Sequence, residues 1–118
     1  MDRKALLNAT IIGTVAQLAM VVTGHFVPVV KDHVFAIGGM IISLAAAVWF
    51  VRLAPGGWGS SLLGGGVVGG VCALIGILVS AALGDVPVIV VAFGTCASVV
   101  AGLAGGALGR SAIRPLQN

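Results

Sequence analysis

Apolar residues run along this chain in four long segments, and the charged residues lie at or beyond the ends of those segments. A helix that crosses about 30 Å of hydrocarbon at 1.5 Å per residue needs about 20 apolar residues. The four segments have that length and predict membrane-spanning helices over residues 5–27, 34–53, 60–83 and 86–108. Because the connections are short, consecutive helices are predicted to be antiparallel neighbours in one up-down bundle.

Proline and glycine mark the ends of these segments. Pro28 follows the first segment, and Ala-Pro-Gly-Gly at 54–57 follows the second. Both helices are predicted to end there, because a proline within a helix removes a hydrogen bond and breaks the helix. Only residues 84–85 separate the third segment from the fourth. Pro87 is then predicted in the first turn of the fourth helix, where its missing N–H costs nothing.

The composition excludes a soluble domain. Of the 118 residues, 59% are hydrophobic and 8% are charged, whereas soluble domains average about 45–50% and about 25%. So few charged residues cannot cover a surface that faces water, and lipid is the expected surrounding. We expect an all-α integral membrane protein with a single domain over residues 1–118 and an uncleaved first span. The net charge of +3 is explained by membrane topology, so no nucleic-acid partner is predicted.

Lys and Arg are divided unevenly between the two ends of the predicted bundle. The end that holds both termini and the middle loop has five basic residues, Arg3, Lys4, Arg52, Arg110 and Arg114. The opposite end has Lys31. Short loops rich in Lys and Arg stay on the cytoplasmic side of a membrane. We therefore expect both termini to be cytoplasmic, and we expect the membrane to be a bacterial inner membrane.

A shift of the chain by 56 residues aligns identical residues without a gap, including Gly13 with Gly69 (69 − 13 = 56) and Gly38 with Gly94. Duplication of a two-helix unit is one explanation, and it would give two parallel copies related by an axis along the membrane normal. Chance identity within a narrow set of residue types is the alternative.

Small residues recur every three or four positions along the third and fourth segments. In the third they are Ser61, Gly65, Gly69, Ala73, Gly76 and Ser80, and in the fourth they are Gly94, Ser98, Gly102 and Gly106. Helices in lipid associate through close backbone approach at such faces, so these two helices are predicted to cross at short distance. A pore lining is the alternative to packing. Because glycine costs a helix about 1 kcal/mol relative to alanine, the surplus also predicts an interface with another copy of the chain or with another membrane subunit.

Gln17 is the strongly polar side chain nearest the middle of a span. It belongs to a face with small or apolar residues, namely Ala5, Ala9, Gly13, Met20 and Gly24. A buried amide seeks a partner on a neighbouring helix. Gln17 is therefore predicted to make a structural hydrogen bond or, alternatively, to line a polar path.

The remaining ionisable residues are grouped at the end opposite to the arginines. They are His25, Lys31, Asp32, His33 and Asp85. Histidines and carboxylates can bind Zn²⁺ or titrate near neutral pH, but this spacing matches no known metal site, and ordinary loop residues are the alternative. No metal or other cofactor is predicted. Cys72 and Cys96 lie in apolar segments and are expected to be free buried thiols.

No charged residue lies near the centre of a span, whereas ion-coupled transporters usually need one there. The serines lie far along the chain from both histidines, so no hydrolase site is indicated and an enzyme is not expected. We expect a small channel or facilitative permease subunit that acts as a homo-oligomer, with Gln17 and the ionisable cluster at its pore or mouth. A non-catalytic accessory or scaffold subunit of a larger membrane complex is the alternative.

Overall fold

The computed structural model describes residues 3–27, 35–54 and 56–111. Within these residues the chain forms α-helices and no strand. The helices are α1 (Arg3–Phe26), α2 (Phe35–Leu53), α3 (Trp58–Ala82) and α4 (Ile89–Ser111). The prediction of an all-α chain with four helices is therefore confirmed. The observed ends differ most from the predicted ones in α4, which begins at 89 instead of 86 and ends at 111 instead of 108.

The late start of α4 follows from the way in which α3 ends. Gly84 has a φ of 79°, the left-handed conformation that glycine adopts without strain. Its N–H donates to Ala81 O, and the Asp85 N–H donates to Ser80 O, both at 3.0 Å. This pair of bonds is the Schellman motif, which satisfies the last carbonyls of a helix. The residues after this motif reverse the direction of the chain before α4 begins at Ile89. Pro87 therefore precedes α4, and the prediction that it lies in the first helical turn is wrong.

Side-chain contacts fix the directions of the helices. Gln17 meets the start of α2 whereas Asn8 meets its end at Trp49, so α1 and α2 are antiparallel. Gly65 and Gly69 meet α4 in the reverse order along its sequence, so α3 and α4 are antiparallel as well. α2 and α3 form a central pair, α1 and α4 lie on opposite sides of it, and no described residue of α1 contacts α4.

The two hairpins, α1–α2 and α3–α4, lie side by side and point in the same direction. α1 runs parallel to α3, since Gly13 meets Cys72 and Gln17 meets Gly76. A two-fold axis between the hairpins would exchange α1 with α3 and α2 with α4. The contact between α2 and α3 would then require an equal contact between α4 and α1. Such a contact is missing from the described residues, so their packing does not follow the two-fold relation that a duplication would suggest.

The predicted close crossing of α3 and α4 is confirmed. All six small residues named on α3 are buried. A Cβ at Gly69 would lie 2.8 Å from Ser98 O and 2.9 Å from Gly102 Cα, and a Cβ at Gly102 would overlap Gly65 O. The two backbones therefore touch, and only glycine fits between them. Gly105 and Gly109 allow a similarly close approach of α4 to α2.

α1, α3 and α4 are long and apolar enough to cross a membrane. α2 is also apolar but has 19 residues, which gives a length of about 28 Å at 1.5 Å per residue. This length is slightly below the roughly 30 Å of a bilayer hydrocarbon core.

Candidate functional site

The two ends of the bundle differ in charge, and we name them accordingly. The histidine end holds His25 and Asp85, where α1 and α3 finish and α4 begins. The arginine end holds Arg3, Arg52 and Arg110, where α1 begins and α2 and α4 finish. The half of the bundle next to the histidine end is called the histidine half, and the half next to the arginine end is called the arginine half.

A cavity of about 390 Å³ lies between the two hairpins in the histidine half. Most of its wall is apolar and includes Met20, Val21, Met40, Ile77, Val90 and Phe93. Its polar side chains are Gln17, Ser80 and Ser98, and none of the described residues that line it is charged. Its volume is within the range of small-molecule sites, about 300–1,000 Å³.

We call the side of the cavity where α1 contacts α3 the closed side, and we call the side between α2 and α4, where its exposed lining residues lie, the open side. On the closed side, a Cβ at Gly76 would lie 2.9 Å from Gln17 Cβ, so the two helices are in contact there. Across the open side, Met40 of α2 and Phe93 of α4 both line the cavity, and they are 40% and 71% exposed. The close approaches of α4 to α2 at Gly105 and Gly109 lie in the arginine half.

A buried polar cluster connects α1, α2 and α3 at the level where the cavity ends. Gln17 is 2% exposed, and its Nε2 donates to Gly39 O at 3.1 Å and lies 3.3 Å from Ser43 Oγ. The Ser43 hydroxyl donates in turn to Gly69 O at 3.1 Å. Cys72 Sγ lies 3.9 Å from Gln17 Nε2 and 3.8 Å from Ser43 Oγ. The predicted interhelical hydrogen bond of Gln17 is therefore present, and the same side chain also lines the cavity.

Below this cluster the arginine half is tightly packed. The ring of Phe50 is fully buried and lies directly against Gly64, where a Cβ would overlap it. Alanine and valine side chains fill the space around the ring, namely Ala5, Ala9, Ala46, Val51 and Val68. These contacts lie between the cavity and the arginine end.

At the histidine end, a hydrogen bond ties α1 to the connection between α3 and α4. The Nδ1–H of His25 donates to Oδ2 of Asp85 at 2.8 Å, and the two side chains are 35% and 10% exposed. Asp85 directly precedes Val86, which lines the cavity. This contact joins the two hairpins beside the cavity.

The predicted site residues are separated by the structure into groups. Gln17, Gly76, Gly94 and Ser98 line the cavity. His25 and Asp85 pair at the histidine end. The other predicted mouth residues, Lys31, Asp32 and His33, lie outside the described residues. The packing glycines Gly65, Gly69, Gly102 and Gly106 join α3 to α4 and do not line the cavity.

Sequence reasoning did not assign a site role to Ser43, Cys72 or Ser80. Ser43 had a signal, because it lies on α2 at the depth of Gln17 once the two helices are taken as antiparallel. The expectation that both cysteines are buried is wrong for Cys96, which is exposed on the surface of the bundle, whereas Cys72 is buried. Among the described residues, no three His, Cys, Asp or Glu side chains converge in a way that could hold a metal ion.

The fold and the cavity together define a four-helix bundle with an uncharged internal site. Comparison with protein-family models, with curated proteins and with solved structures found no match. The functional proposal therefore depends on the cavity and on the distribution of charge.

Proposed function

We propose that the chain is an integral membrane protein in which all four helices cross the bilayer, with both termini on the cytoplasmic side. Its outer surface supports this proposal, because large apolar side chains cover it, including Leu7, Ile11, Ile41, Leu63 and Val100. A surface of this kind is unfavourable in water and favourable in lipid.

The arginine end supports the orientation. Arg3, Lys4, Arg52 and Arg110 lie at this end, and positively charged helix ends stay in the cytoplasm. The Arg110 guanidinium lies 5.5 Å from the ring centre of Trp58. Trp and Arg are both favoured at the headgroup level, so this pair supports an interfacial position for the arginine end, which is the cytoplasmic end in the proposed orientation. We take the membrane to be a bacterial inner membrane.

We further propose that the protein is a facilitative permease, or the subunit of a small channel, for uncharged solutes. The observation that carries this proposal is the cavity, which extends from the histidine half to Gln17 near the middle of α1 and has no charged residue in its described lining. Transport sites commonly lie near the bilayer midplane between two structural units. An ion would be left there without a compensating charge, so neutral solutes are the expected cargo.

In this proposal the gate of the permease is the polar cluster of Gln17, Ser43 and Cys72. It lies between the cavity and the packed arginine half, and it links the two hairpins through hydrogen bonds. Opening toward the arginine end requires the hairpins to separate around Phe50 and Gly64. The packing around Phe50 sets most of the cost of this separation, and the polar cluster adds little to it, because interhelical hydrogen bonds in membranes average about 0.6 kcal/mol.

Flux measurements test the permease proposal. Purified protein in liposomes should speed the entry of glycerol or urea, measured by stopped-flow light scattering, and should leave K⁺ and Cl⁻ permeability at the level of empty vesicles. Ala97→Phe, which places a ring in the cavity, should abolish the added flux, whereas Ala104→Phe on the exposed face of α4 should preserve it. Equal flux with and without protein would contradict the proposal.

Reporter fusions test the orientation. A green fluorescent protein fused after Asn118 should be fluorescent, and alkaline phosphatase fused at the same place should be inactive, because both report a cytoplasmic carboxyl terminus. The reverse pattern would contradict the assignment of the arginine end to the cytoplasm.

The expectation of a homo-oligomer stays a proposal with less support than the glycine count suggested. Gly65, Gly69, Gly102 and Gly106 contact one another within a single chain, so they are not a surplus that needs a second copy. Because the cavity is formed by one chain, a monomer is sufficient for the permease. The mass of the particle in detergent decides between a monomer, a closed oligomer and a complex with another subunit.

A further inference from the structure

One hydroxyl in the wall of the cavity has no partner. Ser80 is 2% exposed and lines the cavity, and its Oγ makes no hydrogen bond within the described part of the chain. Three other helical hydroxyls, those of Thr14, Ser61 and Thr95, are also buried without a partner in the described part of the chain, but these residues do not line the cavity. An unpaired buried hydroxyl is costly, and a bound molecule would relieve that cost.

The lining limits the charge of such a molecule. Its described residues are uncharged, and the neighbouring carboxylate of Asp85 is already paired with His25. A bound ion would lose its hydration without gaining a counter-charge. The ligand is therefore neutral.

The walls and the volume define its shape. Methionine, isoleucine and phenylalanine side chains surround the polar groups, and thioethers pack well against aromatic rings. An apolar cavity of about 150 Å³ is enough for benzene, so the 390 Å³ found here accommodates a ring with a short substituent. An apolar body with one hydrogen-bonding group fits this lining best.

The open side of the cavity defines the route of entry. Met40 and Phe93 line the cavity and are also exposed at the surface between α2 and α4. In the proposed orientation this surface faces acyl chains. A molecule that partitions into the bilayer can therefore enter sideways, without passing the histidine end.

We propose that the cavity binds a small uncharged amphiphile that enters from the lipid between α2 and α4 and donates or accepts a hydrogen bond at Ser80 Oγ. The proposal rests on the same cavity as the permease and on its membrane orientation, but not on transport. The ligand can be the solute that is carried or a molecule that occupies its path.

Methionine methyl groups provide a local readout. Met20 and Met40 line the cavity, and the third methionine, Met1, supplies a reference signal. In detergent-solubilised protein labelled with methyl-¹³C methionine, benzyl alcohol should shift the Met20 and Met40 signals in a saturable way, because its ring current acts at short range. Toluene should bind more weakly, and benzoate and benzylammonium should cause no saturable shift.

Three variants separate specific binding from partition into the micelle. Ser80→Ala should weaken benzyl alcohol binding about two- to tenfold, the range of one net hydrogen bond, and should leave toluene binding unchanged. Ala97→Phe should abolish the saturable shift, and Ala104→Phe should not affect it. Thermal unfolding of each variant shows whether it is folded.

Shifts that grow linearly with ligand concentration, or that are the same in folded Ala97→Phe, would overturn the proposal. Equal binding of the charged probes would overturn the assignment of a neutral ligand. An unchanged affinity for benzyl alcohol in Ser80→Ala would overturn the role of Ser80. Saturable binding without solute flux would instead retain this site and reject the permease, and flux without saturable binding would do the reverse.

Discussion

The arginine half and the histidine half of the bundle use similar residues to opposite effect. In the arginine half, the backbones of α3 and α4 touch at Gly65 and Gly102, and the Phe50 ring fills the remaining space. In the histidine half, Gly39 and Gly94 lie beside a cavity of about 390 Å³. Glycine therefore allows close contact between helices in the arginine half and lies beside a cavity in the histidine half.

The difference follows from what lies opposite each glycine. In the arginine half, Gly65, Gly102, Gly105 and Gly106 each face a backbone carbonyl of the neighbouring helix, so the helices approach until the main chains meet. Gly94 instead faces the end of the Ile77 side chain, and Gly39 faces Gln17 and Met20. Longer side chains hold the helices apart, and the cavity lies in the space between them. We infer that the arginine half provides rigidity and that the histidine half provides the site.

The largest predicted effect is at the contact of α3 with α4. Gly102→Ala places a Cβ against Gly65 O, a backbone atom that cannot turn aside. Overpacking in a tight core costs about 1–3 kcal/mol, and more where the backbone must move. We expect a destabilisation of about 3 kcal/mol or a failure to fold, measured by thermal unfolding in detergent.

Gly94→Ala is the matched control in the same helix. Its Cβ would lie 2.5 Å from Ile77 Cδ1, the far end of a side chain that can turn into the cavity. We therefore expect a change of less than about 1 kcal/mol, since alanine also removes the helix penalty of glycine. Similar losses in Gly94→Ala and Gly102→Ala would show that the two halves are packed alike.

A smaller effect is predicted at the boundary between the halves. Gln17→Leu keeps a similar volume but removes the amide that bonds to Gly39 O and Ser43 Oγ. Because single interhelical hydrogen bonds in membranes reach at most about 1.7 kcal/mol, we expect a loss of about 1–2 kcal/mol in unfolding free energy. Solute flux should also fall, because the polar end of the cavity is lost.

Ser43→Ala is the comparison for Gln17→Leu, since it breaks the same cluster at a residue that does not line the cavity among the described positions. It should cost about 0.6 kcal/mol and leave ligand binding in the cavity unchanged. If both variants lower stability and binding to the same degree, the amide of Gln17 has only a structural role.

The sequence predicts the helices and the glycine contacts because both depend on local patterns. Long apolar runs fix the helices, and spacings of three and four place Gly65 and Gly102 on faces that can meet. The cavity could not be predicted in this way, because it depends on which side chains oppose Gly39 and Gly94 across different helices. Ser80 illustrates this limit, since its position on a face of small residues indicated packing, whereas the residue also lines the cavity and its buried hydroxyl is unpaired.

Gly39→Ala sharpens the comparison with a substitution that we expect to stabilise. A Cβ at this position would lie 3.5 Å from Gln17 Oε1 and 3.8 Å from Met20 Cε, which are ordinary contacts. The helix penalty of glycine, up to about 1 kcal/mol in water, would be removed without a clash. We expect thermal stability to be unchanged or to rise by up to about 1 kcal/mol. A loss as large as that of Gly102→Ala would mean that the histidine half is also closely packed.

The smallest predicted effect is at the contact of His25 with Asp85. The 2.8 Å hydrogen bond joins the two hairpins, but the His25 side chain is 35% exposed, and exposed pairs contribute about 0.2–1 kcal/mol. A double-mutant cycle with His25→Gln and Asp85→Asn should give a coupling energy within that range, which is reduced at high salt. A coupling near zero would show that the hairpins are held together by the glycine contacts and the polar cluster alone. A coupling above about 2 kcal/mol would mean instead that the histidine end is fixed more firmly than an exposed pair allows.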